Sequence, residues 1–107
     1  LYPRLFGNVL SLSGSYWWAP EGDAPGWLTR QYQQSRPYPV RFWLQAGKFE
    51  TTGPGGGIYR TTQDFEQMLR NKGYRVSFHP SSSGHDYAAW CEALIHGMRD
   101  LTGLRRQ

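Results

Sequence analysis

Three short strand patterns, each followed by a stretch suited to a helix, set the limits on what this chain can fold into. Val9-Leu10-Ser11-Leu12-Ser13 is an apolar run closed by Gly14, of the kind that lies inside a sheet with both faces covered. Val40, Phe42 and Leu44 alternate with Arg41, Trp43 and Gln45 before Ala46-Gly47. Tyr74, Val76 and Phe78 alternate with Arg75, Ser77 and His79 until Pro80, which is expected to stop the strand. Trp27 to Gln34 reads as a short helix started at Pro25 and broken by Pro37 and Pro39. Thr61 or Thr62 can cap a second helix, in which Phe65, Met68 and Leu69 share one face, and Gly73 ends it in the left-handed position. Tyr87, Trp90, Cys91, Leu94, Ile95, Met98 and Leu101 form one stripe of a third helix closed by Gly103. The order strand, helix, repeated through the chain predicts right-handed crossovers and an α/β three-layer sandwich with about three parallel strands.

A chain of 107 residues makes one domain, 1–107, with a single core; a domain of this size buries about two-thirds of the surface its unfolded form exposes. With 38% hydrophobic and 16% aromatic residues the composition excludes disorder. Ten arginines against two lysines, and a net charge of +4, suit bidentate contacts to anions. The arginines are scattered and only Arg105 and Arg106 adjoin, so no basic stripe for a nucleic-acid partner is expected. No apolar run long enough for a membrane span and no charged-then-apolar leader occurs, so the chain is read as cytoplasmic and off the membrane. Cys91 stands alone and falls in an apolar helical stripe, where a buried, inert thiol is expected.

In a parallel sheet the loops that follow the strands gather on one edge, where ligands bind. Three such loops carry Tyr16-Trp17-Trp18, Lys48-Phe49-Glu50 and Ser83-Gly84-His85. A carboxylate that accepts from one ring nitrogen of histidine fixes its tautomer and stabilises the imidazolium, leaving the other nitrogen to take a proton from a nucleophile. Glu50 and His85 have the residue types for this, and their order matches α/β hydrolases, which run nucleophile, acid, histidine. Asp86, the competing acid, reads as the cap of the last helix. No Gly-x-Ser-x-Gly turn occurs anywhere in the chain, and Ser11, Ser13 and Ser15 lack the sharp turn that exposes a nucleophilic hydroxyl, so they are assigned structural roles. His79 and His96 belong to no motif, no histidine stands at metal-ligand spacing to another or to Cys91, and neither a metal nor a cofactor is expected. Gly53-Pro54-Gly55-Gly56-Gly57 is not a phosphate-binding loop, since no Gly-Lys-Ser or Gly-Lys-Thr follows it.

Phe6-Gly-Asn-Val-Leu-Ser-Leu-Ser-Gly-Ser-Tyr-Trp-Trp18, Gln45-Ala-Gly-Lys-Phe-Glu50, Leu69-Arg-Asn-Lys-Gly-Tyr-Arg-Val76 and Gly84-His-Asp86 together span nearly the whole chain. In these segments the sequence resembles the esterases of the α/β-hydrolase fold, and among them the enterochelin (ferric enterobactin) esterases. The resemblance implies the C-terminal part of such an enzyme, with the nucleophilic serine just upstream of a segment like Phe6 to Ser13. It places the acid in a Gly-x-x-Glu turn, here Gly47 to Glu50, and the histidine in Gly-His-Asp, here His85. The Gly-rich stretch Thr51 to Gly57 departs from the family pattern. The implied substrate is a small-molecule ester, the serine lactone of an anionic, iron-loaded catecholate siderophore. Trp17 and Trp18 would stack on its catechol rings.

Three expectations follow. Without its nucleophile the chain alone is inactive. A sheet that begins at Val9 presents an unpaired strand edge, which favours self-association. The alternative reading is a non-catalytic binding or self-assembly module that uses the same half-fold as an interaction surface.

Overall fold

Alternation in the second strand sorts its side chains onto two faces, and the rest of the domain is arranged around that division. The computed structural model describes Tyr2 and residues 4–103. Its elements are β1 (Asn8–Leu12), α1 (Trp27–Gln34), β2 (Arg41–Gly47), α2 (Gly57–Asn71), β3 (Arg75–Ser81) and α3 (Tyr87–Thr102), with a 3-10 turn at Pro54–Gly56 leading into α2. The sheet has the order β1-β2-β3 and is parallel throughout, with Val9 opposite Phe42 and Phe42 opposite Val76. Every residue of β2 from Phe42 to Gly47 is buried, as befits a central strand covered on both faces.

Phe42 and Leu44 enter the main core with Tyr16, Phe65, Met68, Leu69 and Tyr74. That core is largely aromatic. Tyr16 stacks on Phe65 with ring centres 4.4 Å apart, and Tyr32 of α1 meets Phe42 and Phe65 edge-on at 5.9 and 5.6 Å. Edge-to-face pairs of this kind add about 0.5–1.5 kcal/mol each to the burial of their surface. Burial also raises the Tyr16 phenol above its ordinary pKa, against a smaller opposing effect from its hydrogen bond to Ser11.

The other face belongs to α3. Gly97 lets the helix approach closely, since a β-carbon there would meet Leu10 Cδ1 at 2.6 Å and Trp43 Cε3 at 3.0 Å. Trp43 donates its indole N–H to Asp100 at 2.8 Å, fixing the helix over β2. Asp86 caps α3 by accepting from the Ala89 amide at 2.9 Å, and Gly103 closes it with φ 73°. Helices on both faces of a parallel sheet make the three-layer α/β arrangement read from the sequence.

Four local expectations are corrected. First, α2 begins at Gly57 rather than at Thr61 or Thr62, and the Thr61 hydroxyl donates back to the Gly57 carbonyl at 2.8 Å instead of capping the helix. Second, β3 continues through Pro80 to Ser81. As an edge strand it has one side without a ladder partner among the described residues, and there a proline's missing N–H breaks nothing. Third, the apolar stripe of α3 is not buried: Tyr87 is 81% exposed, and Leu94, Ile95 and Met98 are 48, 53 and 50% exposed. Fourth, Cys91 is exposed with them. The small residues Ala93 and Gly97 make the contact with the sheet, and Glu92 and His96 border a crevice of about 450 Å³ over β3. At helical spacing Leu94 and Met98 then lie on the opposite flank, toward the outer edge of β1, which has no ladder partner among the described residues. Among the described residues no helix is long and apolar enough to cross a membrane.

Candidate functional site

Parallel strands deliver their C-terminal loops to one edge of the sheet, and here three of them are tied together by backbone hydrogen bonds. Ser13, just past β1, donates its amide to the Gln45 carbonyl at 2.9 Å. Lys48 and Phe49, just past β2, donate to the carbonyls of Ser81 and Ser83 at 2.8 and 3.1 Å. The turn after β2 closes when the Glu50 amide reaches the Gly47 carbonyl at 3.1 Å, which aims the Glu50 side chain back under the loops.

Glu50 is 7% exposed. A buried carboxylate is costly unless its oxygens are satisfied by donors. Oε1 accepts from the Ser13 hydroxyl at 2.6 Å and from the Gly47 amide at 2.9 Å. Oε2 lies 2.9 Å from Nδ1 of His85. A carboxylate can only accept, so a neutral imidazole in this contact carries its hydrogen on Nδ1 and keeps the lone pair on Nε2. The His85 side chain is 60% exposed while that of Glu50 is 3% exposed, so a buried acid backs a histidine open to solvent. Trp90, on the first turn of α3, meets the imidazole edge-on at 4.5 Å and donates its indole N–H to Ser13 Oγ at 2.8 Å.

The Gly-rich stretch that departs from the expected pattern folds against the acid's own backbone. Gly57, at φ 91°, approaches so closely that a β-carbon there would meet the Glu50 carbonyl oxygen at 2.7 Å. Tyr59 donates its amide to that same oxygen at 3.0 Å. The segment thus supports the turn that carries Glu50.

The structure brings Glu50 and His85 together across 35 residues of sequence. It does not bring Trp17 and Trp18 to them: among the described residues no hydrogen bond or ring contact joins either tryptophan to the pair. Trp18 is 50% exposed and packs edge-on against Trp27 at 5.8 Å. His96 is exposed, and His79 is half-buried with its ring flat on Trp43 at 4.1 Å. Burial holds the His79 imidazole below its ordinary pKa, partly offset by the Asp100 carboxylate. Among the described residues no cluster of three or more His, Cys, Asp or Glu could hold a metal ion. Sequence reasoning missed the Gly47 amide, the Ser13 hydroxyl as a partner of the acid, and Trp90. Only the crossing of three chain segments defines them, and no local pattern announces it.

Comparison with known proteins comes out on one side. The chain is 34% identical to the iron(III) salmochelin esterase of Escherichia coli (strain CFT073) over 94% of its own length and 26% of the relative's. It is 30% identical to the iron(III) enterobactin esterase of Dickeya dadantii, again over 94% of this chain and 25% of that one. Its fold superimposes on the crystal structure of an enterochelin esterase from Shigella flexneri with a TM-score of 0.75 and 31% identity, covering 94% of this chain and 25% of that one. The chain therefore spans about a quarter of the length of the relatives it matches. No family model matches it.

Proposed function

We propose that this chain, a relative of the enterochelin esterases in both sequence and fold, supplies the acid and histidine of a serine esterase that acts on an iron-loaded siderophore ester. The observation that carries the reading is the buried Glu50 carboxylate facing Nδ1 of the exposed His85 at 2.9 Å. In that arrangement His85 Nε2 takes the proton of a serine hydroxyl as it attacks the ester carbonyl. The Ser–O–acyl bond forms, and the same proton then passes to the leaving alkoxide. Glu50 holds the ring in the required tautomer and stabilises the imidazolium between those two transfers. In the second half-reaction His85 takes a proton from water and returns it to the serine.

The nucleophile belongs, on this reading, to sequence outside these 107 residues, with the chain forming the C-terminal part of the esterase domain. The β1 edge, unpaired among the described residues, and the exposed Leu94 and Met98 on that flank of α3 are the surfaces on which a further strand and helix would rest. The siderophore reading rests on the relatives' names, and net charge +4 favours an anionic ligand by steering. Trp17 and Trp18 are the proposed aromatic contacts of that ligand, Trp18 being exposed and Trp17 half-buried.

The test is a chimaera in which this chain replaces the matched quarter of the Escherichia coli salmochelin esterase, assayed on ferric salmochelin and ferric enterobactin. Turnover that disappears in His85→Ala and falls steeply in Glu50→Gln supports the proposal. A folded chimaera whose turnover is indifferent to His85 sinks it.

The same exposed stripe and open strand edge favour a second reading, a self-assembling module with no turnover of its own. A stable symmetric complex of this chain alone, with its β1 edges protected from amide exchange, would give that reading the lead.

A further inference from the structure

Ser13 lies 6% exposed at the end of β1 and is the one described residue other than glycine with a positive φ, at 48°. A left-handed backbone is costly for a residue with a β-carbon and persists where the surroundings hold it. Ser13 belongs to a ring of four side chains. Trp90 Nε1 lies 2.8 Å from Ser13 Oγ, Ser13 Oγ lies 2.6 Å from Glu50 Oε1, and Glu50 Oε2 lies 2.9 Å from His85 Nδ1. The imidazole closes the circle by standing at 87° to the Trp90 ring, 4.5 Å away.

The direction of every bond in that ring is fixed by chemistry. An indole N–H can only donate, so the serine oxygen accepts from Trp90. The serine's single hydrogen is then free for the acid, and a carboxylate can only accept it. With Oε1 also held by the Gly47 amide at 2.9 Å, rotation of the carboxylate is blocked and Oε2 stays aimed at Nδ1. The Trp90 ring, perpendicular to the imidazole at 4.5 Å, limits its rotation from the other side.

We infer that Ser13 and Trp90 are positioning residues that together hold Glu50 and His85 in register, with Ser13 acting through the acid and Trp90 both through Ser13 and directly on the histidine ring. This assignment rests on the His85–Glu50 reading above and adds two residues to it. Ser13 is thereby removed as a nucleophile, since its hydrogen is committed to Glu50 and its oxygen to Trp90.

The experiment follows the His85 tautomer by long-range 1H–15N spectra of the whole chain labelled with 15N-histidine, recorded at alkaline pH. Thermal melting is recorded on each variant in parallel. The wild-type ring is expected as the Nδ1–H tautomer. Ser13→Gly removes the hydroxyl while suiting the positive φ, which glycine adopts at no steric cost. It should stay folded yet shift the tautomer ratio several-fold toward Nε2–H. Trp90→Phe keeps an aromatic ring beside His85 but removes the donor to Ser13, and should shift the ratio in the same direction by less. Ser13→Gly and Trp90→Phe chains that both keep the wild-type ratio would overturn the positioning role and leave the pair itself standing. A wild-type His85 already in the Nε2–H form would overturn the underlying assignment as well.

Discussion

The carbonyl oxygen of Ser83 lies against the α-carbon of Gly47, inside any van der Waals separation from the place a β-carbon would occupy. The loop that leads to His85 therefore rests directly on the residue whose amide holds Glu50 at 2.9 Å. Gly47→Ala forces the two loops apart. The expected cost is on the order of 1–3 kcal/mol, as for overpacking elsewhere, and the His85–Glu50 contact lengthens. Urea denaturation measures the first and the His85 tautomer the second; an unchanged midpoint would show that the loops have slack.

Phe65 sits 1% exposed with Tyr16 stacked on it and Tyr32 and Phe42 edge-on around it. Phe65→Ala should cost about 3–5 kcal/mol. Against a total of roughly 5–15 kcal/mol for a small domain, that loss brings the chain close to unfolding at ambient temperature. Chemical denaturation of wild type and variant reads the difference, and a loss below that of a surface substitution would mean the aromatic cluster is not the main core.

His79 gives the domain a pH dependence whose sign can be worked out. Burial against Trp43 lowers its folded-state pKa, with Asp100 opposing that shift and His96 adding to it. The fold thus prefers the neutral ring. Its contribution to stability is complete above the unfolded value of about 6.5 and is lost as pH falls from there through the lower folded value. His79→Phe keeps a flat ring on Trp43 and should flatten this part of the stability profile. Denaturation midpoints measured across the mildly acidic range would show a slope in the wild type that is reduced in the variant.

The exposed Leu94 and Met98 beside the open edge of β1 predict self-association that depends on concentration. The double variant Leu94→Glu, Met98→Glu should sediment as a monomer under conditions in which the wild type does not. Its melting temperature should hardly change, because neither side chain contributes to the core. A wild-type chain that is monomeric at high concentration refutes the prediction.

The chain by itself should not hydrolyse esters. Loss of the serine from a comparable triad costs a factor on the order of 10⁶ in turnover, so unactivated alkyl esters, which a lone imidazole does not cleave, should react no faster than with the His85→Ala chain. A wild-type rate that does depend on His85 would mean that a nucleophile lies within these 107 residues.

Much of the architecture was legible in the residues. Trp27–Gln34 forms the helix its flanking prolines mark, and the alternation from Arg41 to Gly47 forms a strand. Asp86 caps α3, and Gly73 and Gly103 adopt positive φ after their helices. These features depend on φ preferences, capping and side-chain period within a few residues, so local sequence determines them. The types and chain order of Glu50 and His85 stand in the sequence itself, and the likeness to the esterases lies in the segments that carry it.

Only the tertiary structure decided which apolar residues are inside. Tyr87, Leu94, Ile95 and Met98 have the period of a buried face, but Ala93 and Gly97 are what fit against Leu10 and Trp43, and the stripe is left outside. A helical period records which residues share a side and not what lies opposite that side. Likewise nothing near Ser13 in the sequence shows that its hydroxyl meets a carboxylate 37 residues away and an indole 77 residues away. Those contacts exist because three parallel strands end on one edge, which places loops distant in sequence within hydrogen-bonding distance of one another.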